Sequence, residues 1–182
     1  MNHSGIWDQT EADKYHQSSP KLAAWLASYL PKEEHVIDFG AGNGYYLSEL
    51  AKQGFKCTGV EGMKLNNFLH DNMLIHDLTQ PIHLVAKGSV LCLEVMEHVP
   101  ECGEKHLLNS IVEHSTGIVV MSWATPGQPG VGHINCKPHK YVIEEMKFRG
   151  FIFDLEKSKE ARENADEHTS WFKRNLMVFA KG

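Results

Sequence analysis

The stretch Asp38-Phe39-Gly40-Ala41-Gly42-Asn43-Gly44 sits between two runs of different period. Residues 35–39 before it are a short apolar run that reads as a buried strand. Residues 44–53 after it read as a helix with Leu47, Leu50 and Ala51 on one face. A strand, a glycine turn and a helix in that order make a ligand cradle. Glycine lets the backbone turn tightly and approach a ligand closely. The helix N-terminus offers free N–H groups and the positive end of a dipole. A dinucleotide pyrophosphate is met through G-x-G-x-x-G. Here the spacing is G-x-G-x-G, with Asp38 two residues before Gly40. An acid at that point suits a ligand with a cationic head group.

Working outward, strand-like and helix-like runs alternate. Upstream, the chain is polar and irregular to about residue 18. A helix then starts with Ser19 as cap and Pro20 in the first helical position. Leu22, Trp25, Leu26, Tyr29 and Leu30 recur at helical spacing until Pro31 stops them. Downstream, strands are expected at 56–60, 73–76, 89–94, 117–123, 151–155 and 175–180. Helices are expected at 101–114 and 138–149, with at most a short one at 66–72. The polar run 157–169 reads as a mobile hairpin loop between the last two strands. Such alternation predicts one α/β domain over 1–182: a doubly wound, mostly parallel sheet with helices on both faces. Its ligands belong at the carboxyl ends of the strands, near the topological switch.

Two more acids stand at strand ends. Glu61 follows the second strand, where a carboxylate accepts hydrogen bonds from both hydroxyls of a ribose. Asp77 follows the third. On the glycine spacing and these three acids, residues 36–180 resemble the class I S-adenosylmethionine-dependent methyltransferases. The resemblance implies a Rossmann-like sheet of about seven strands with an antiparallel C-terminal strand. It also implies a sulfonium cofactor held by Asp38, Gly40, Gly42, Gly44, Glu61 and Glu94, with Asp77 and the backbone amide of Leu78 on the adenine. Residues 1–31 would lie over that site. Tyr15 and His16 either fold over the cofactor or pack on the surface. Members of the family place a full helix where this chain has eleven residues between Asp77 and Ser89, so that helix is expected to be a stub.

The fourth strand runs into Glu94-Val95-Met96-Glu97-His98. An acid-x-x-acid-His run of this kind either shapes the cofactor floor and starts the next helix, or binds metal. It resembles the motif of small-RNA 3′-end 2′-O-methyltransferases and ubiquinone-pathway O-methyltransferases. By that resemblance Glu94, Glu97, His98 and His133 would hold Mg²⁺ or Mn²⁺, with His139 as the alternative to His133. Carboxylates with imidazole suit such ions. Methyl transfer from sulfonium is an in-line displacement, so positioning supplies much of the rate. A hydroxyl acceptor must also lose a proton, to a metal-lowered pKa or to His98 or His133 as general base. An oxygen acceptor is therefore expected. Residues 123–132, rich in Pro and Gly, read as the acceptor loop. Trp123 either stacks on a sugar or aromatic ring or belongs to the core. Trp171 and Phe172 either edge the cleft or pack beneath a loop.

Bulk properties bound the partners. Net charge is −5 over 182 residues, so no basic footprint supports broad nucleic-acid binding. The Asp/Asn-Pro-Pro-aromatic signature of base-amino methyltransferases is absent after the fourth strand. A small hydroxylated metabolite or sugar is the expected acceptor; an RNA 3′ end fits the metal set but not the charge. No signal-peptide pattern and no membrane-length apolar run occurs. Cys57, Cys92, Cys102 and Cys136 form no C-x-x-C pair and are expected as reduced thiols in a cytoplasmic protein. Two rival functions stand beside methyl transfer: an NAD-dependent oxidoreductase and a catalytically silent cofactor-binding or scaffold protein.

Overall fold

A computed structural model describes Trp7 and residues 9–182. Seven strands form one sheet: β1 (His35–Phe39), β2 (Lys56–Glu61), β3 (Met73–Ile75), β4 (Gly88–Leu93), β5 (Ser115–Ser122), β6 (Phe151–Asp154) and β7 (Met177–Lys181). Their order is β3-β2-β1-β4-β5-β7-β6. Neighbours from β3 to β5 are parallel, and β7 runs antiparallel to both β5 and β6. The chain winds outward from β1 to β3, then crosses back to β4 on the other side of β1. That reversal opens a crevice at the carboxyl ends of β1 and β4.

The central strands are buried on both faces, which is why they read as near-continuous apolar runs. Alternation then assigns each residue to a side. Ile37, Phe39, Val90, Cys92, Val119 and Met121 pack with Leu107, Leu108 and Ile111 of α4 (Glu101–His114) and with Val142 and Met146 of α5 (His139–Phe148). Val36, Leu91, Val120 and Val178 pack with Leu22 and Leu26 of α2 (Pro20–Tyr29), Leu47 and Leu50 of α3 (Tyr45–Lys52) and Phe172 of α7 (Phe172–Asn175). Ser19 caps α2 as expected, its Oγ accepting from the Leu22 N–H at 3.3 Å.

Four local expectations are corrected. Part of the N-terminal stretch is a helix, α1 (Gln9–Tyr15), whose one buried residue is Ala12. Residues 66–72 form no helix. The Asn72 side chain there donates instead to the Cys57 carbonyl at 2.8 Å and the Thr58 hydroxyl at 2.7 Å. The run 157–169 is not a hairpin loop. It contains most of α6 (Leu155–Glu163), capped by Asp154, and a 3-10 turn at Glu167–Thr169. The β3–β4 connection holds no helical stub. Leu78 and Ile82 cover the sheet there, and the Leu84 N–H donates to His114 Nε2 at 2.8 Å. Cys57 and Cys92 are buried free thiols, and Cys102 and Cys136 are free as well. Among the described residues, no helix is long and apolar enough to cross a membrane.

Candidate cofactor and acceptor cleft

The crevice at the switch point is a cleft of about 380 Å³, within the range of small-molecule sites. The glycine loop forms its floor. Gly40, Gly42 and Gly44 have φ of 78°, 56° and 80°, a region that L side chains rarely adopt. Gly40 and Ala41 both donate to the Val60 carbonyl, at 2.8 and 3.1 Å, which ties the turn to β2. A Cβ at Gly40 would strike the Val95 side chain, so the loop is closely packed as well as tightly turned. Gly44 caps α3 without a side chain of its own, and Asn43 Oδ1 accepts from the Tyr45 N–H at 3.1 Å.

Each sequence-predicted cofactor residue borders this cleft, apart from Gly44, which sits at its edge as the α3 cap. Asp38 is 2% exposed, and its Oδ1 has no partner among the described residues. Burial, and secondarily the charge of Glu61, push its pKa up to about 7. Glu61 accepts from the Gly42 N–H at 2.7 Å and the Gly62 N–H at 2.8 Å. Burial raises its pKa, and these N–H groups offset part of the rise. Asp77 Oδ1 accepts from the Thr79 N–H at 2.9 Å and its hydroxyl at 2.8 Å, which fixes the carboxylate at the rim. With Glu94, four carboxylates line a cleft that contains no lysine or arginine among its described lining residues. Such a wall favours a cationic ligand.

The N-terminal segment does cover the glycine loop. His16 lies against Gly42, where a Cβ would come within 3.0 Å of its ring. Burial lowers the His16 pKa. Trp7 stacks on His16 with centroids 5.3 Å apart, and Tyr15 meets Trp7 edge-on at 5.9 Å. α1 is latched to the loop after β2: Gln9 accepts from the Asn66 N–H at 2.8 Å, and Asn67 donates to Asp13 at 3.2 Å.

On the other side of the cleft, Glu97, His98 and His133 place one ligand atom each within 4.8 Å of one another. His133 Nε2 lies 4.0 Å from Glu97 Oε1. His98 Nδ1 faces the Gly132 carbonyl at 3.1 Å, and His133 Nδ1 faces the Gln128 carbonyl at 3.2 Å. A carbonyl only accepts, so each Nδ1 carries a proton, and Nε2 is the nitrogen left to face the cleft. Burial, with His133 nearby, lowers the His98 pKa to about 4. Glu97 is fully buried with both carboxylate oxygens unpartnered among the described residues. Burial and then the charge of Glu94 push its pKa well up. The main-chain carbonyl of Glu97 accepts from Ile134 and Asn135, each at 2.9 Å, which brings the acceptor loop to the end of β4.

Glu94 and His139 stand outside that trio. Glu94 has a positive φ of 53°, and its carboxylate accepts from Gln128 at 3.1 Å and Asn175 at 3.2 Å. Asn175 also donates to Gln128 Oε1 at 2.7 Å. His139 is half-buried beside Asn175, which places it at the start of α5. Trp123 is core: fully buried, with its indole N–H donating to the Asn135 carbonyl at 2.6 Å. Trp171 and Phe172 border the cleft while Phe172 also packs in the core. Gln128, Asn175 and Trp7 were missed from the sequence. No local pattern marks them; the fold alone brings Gln128 and Asn175 to Glu94 across 34 and 81 residues.

Comparison with known proteins agrees with this fold. The solved sugar N-methyltransferase KedS8 from Streptoalloteichus sp ATCC 53650 shares the fold with a TM-score of 0.66 at 13% identity, covering 93% of this chain and 90% of that one. Magnesium protoporphyrin IX methyltransferase from Synechocystis PCC 6803, solved with SAH bound, superposes with a TM-score of 0.63 at 16% identity over 96% and 83% of the chains. In sequence, the chain is 32% identical over 99 residues to a Rickettsia typhi ubiquinone biosynthesis O-methyltransferase, a match covering 48% of this chain and 39% of that protein. It thus spans about two-fifths of the length of that relative. The methyltransferase domain family matches residues 13–151, most of the chain and all of the cleft's cofactor side except Trp7 and Ala12, and the chain belongs to that family.

Proposed function

We propose that this chain transfers the methyl group of S-adenosylmethionine to an oxygen of a small hydroxylated molecule. The observation that carries the proposal is the placing of two different constellations across one cleft. Asp38, Glu61 and Asp77 stand on one side, His98 and His133 with the buried Glu97 on the other.

The cofactor side fits its ligand on chemical grounds. Asp38 has an unpartnered buried oxygen that an ammonium N–H would satisfy. Glu61 is positioned to accept from a ribose, and Asp77 with the Leu78 amide to meet the adenine edge. His16 and α1 exclude water above the glycine loop. S-Adenosylmethionine, when bound, supplies the electrophilic methyl group.

The acceptor side fits a divalent cation. Two imidazoles, each held through Nδ1 by a backbone carbonyl, and one buried carboxyl without a hydrogen-bond partner among the described residues form a donor set that is costly to leave uncompensated. One carboxylate with two imidazoles suits Mn²⁺ better than Mg²⁺, which prefers oxygen ligands throughout. A bound ion would supply a Lewis acid for the acceptor hydroxyl. Glu97, His98 and His133 would hold it, and Glu94, occupied by Gln128 and Asn175, would shape the floor between the two sides. In the metal-free form His98 or His133 takes the hydroxyl proton at Nε2. Solved members of this fold named for N-methylation show that the scaffold does not decide the acceptor atom. The histidine–carboxyl side is what favours oxygen here.

The test is S-adenosylhomocysteine release with a panel of phenols, sugars and a 3′-terminal ribose oligonucleotide, with chelator and with added Mn²⁺ or Mg²⁺. Turnover of a hydroxylated acceptor is expected. Loss under chelation, restored by Mn²⁺, supports the metal site; unchanged turnover after stringent chelation rejects it. Transfer to an amine alone rejects the oxygen acceptor.

A further inference from the structure

Trp7 bridges the two sides of the cleft. It touches the cofactor side through His16, with rings stacked 5.3 Å apart at 25°, and the acceptor side through His98, edge-on at 5.1 Å and 77°. His98 meets His133 in turn at 5.2 Å and 74°. Four rings, His16, Trp7, His98 and His133, thus run in contact from the glycine-loop side to the acceptor side. The Trp7 Nε1 is buried and meets no hydrogen-bond partner among the described residues. Buried indole N–H groups ordinarily have an acceptor. One supplied by a ligand would satisfy it.

The surroundings restrict that ligand. The described lining residues include no lysine or arginine, while Asp38, Glu61, Asp77 and Glu94 are all acidic. A phosphate or carboxylate elsewhere on the acceptor would lose its hydration there and gain no counter-charge from a side chain, and a cation held by Glu97, His98 and His133 would be taken up by the reacting hydroxyl. Val99, Pro129 and Val131 complete an apolar wall on the acceptor side. Aromatic rings pack favourably against such walls and against ring edges.

We propose that Trp7 is an acceptor-recognition residue, and that it takes an uncharged aromatic ring bearing the reacting hydroxyl, with the indole N–H donating to an oxygen of that molecule. The proposal rests on the acceptor side assigned under Proposed function. It narrows a broad class, hydroxylated molecules, to neutral phenol-like ones, and adds a residue outside the matched family region.

The experiment is calorimetric titration of the S-adenosylhomocysteine-loaded protein with three probes: catechol, 3,4-dihydroxybenzoate and ribose. Wild type is expected to bind catechol, with 3,4-dihydroxybenzoate and ribose each at least about tenfold weaker. Trp7→Phe, which keeps a ring and removes the N–H, should weaken catechol by about tenfold, and Trp7→Ala by more. Both variants should hold S-adenosylhomocysteine within about threefold of wild type, which separates acceptor recognition from a lid or folding defect. No catechol binding, equal binding of the carboxylate, tighter binding of ribose, or Trp7 variants with unchanged catechol affinity would each overturn the proposal. So would a loss of S-adenosylhomocysteine affinity as large as that for catechol. Methyl transfer to a sugar hydroxyl would overturn this proposal and leave the broader function standing. Failure of the protein to bind S-adenosylhomocysteine at all would overturn both.

Discussion

At Asp38 the fold buries a carboxyl beside another carboxyl and offers it no cation. Its pKa of about 7 against an ordinary 3.8 means that the folded protein binds more protons than the unfolded one between those values. From this group, stability is greatest below about pH 4 and falls as pH rises to 7, and the cost persists above that. Asp38→Asn is therefore expected to stabilise the ligand-free protein at pH 8, by up to about 4 kcal/mol, and to do little at pH 4; urea denaturation at the two pH values measures it. The same residue sets a binding prediction with the opposite benefit. A cationic ligand keeps Asp38 ionised, so affinity for S-adenosylmethionine should rise with pH up to about 7, at most tenfold per unit, and then level off. Asp38→Asn should bind weakly and show no such slope. Gly40 is the other decisive residue. Gly40→Ala combines a positive φ with a clash on Val95, and should cost about 2–4 kcal/mol and disorder the loop. Gly54→Ala, also at positive φ but with open space around it, should cost only about 1 kcal/mol. Thermal unfolding of the two variants compares clash and strain directly.

At the scale of elements, every strand was legible in the sequence, because central strands are apolar runs bounded by turns. Two of the helices that were missed, α6 and α1, share a physical reason. α6 buries only Ser158 and Ala161, and α1 only Ala12. Small residues leave no hydrophobic period to detect, so polar composition read as loop. Residues 66–72 erred the other way: a run rich in Asn and Asp, poor helix formers, gives polar side chains to neighbouring backbone instead, as Asn72 does to β2. Within α6, Ser158 acts as a joint. Its Oγ donates to the Asp154 carbonyl at 2.6 Å and accepts from the Val178 N–H at 2.8 Å, tying α6 to β7. Ser158→Ala strands a buried N–H and should cost about 1–3 kcal/mol by chemical denaturation. A second joint holds the acceptor loop. Glu104 of α4 accepts from Asn135 at 2.9 Å and from the Tyr141 hydroxyl, with Lys137 alongside at 3.8 Å. Glu104→Ala removes the anchor of residues 133–137. It should lower stability by about 2–3 kcal/mol and impair turnover more than S-adenosylmethionine binding, a split that steady-state kinetics and calorimetry separate.

For the molecule as a whole, the site follows from where the chain reverses direction across the sheet. In the sequence the three acids, the glycines and His98 stand at strand ends or in a recognisable local pattern, whereas His133 came from the family resemblance, with His139 as its alternative. The sequence alone did not reach Trp7, Gln128 or Asn175, whose roles exist only once distant segments meet. Their arrangement divides one cleft into an acidic cofactor half and an imidazole half, bridged by a lid residue. The account stands or falls on what the acidic half binds. Titration of the protein with S-adenosylmethionine and, separately, with NAD tests this most directly. Saturable one-to-one binding of S-adenosylmethionine, with none of NAD, is the predicted result; binding of NAD, or no binding of S-adenosylmethionine, would contradict it.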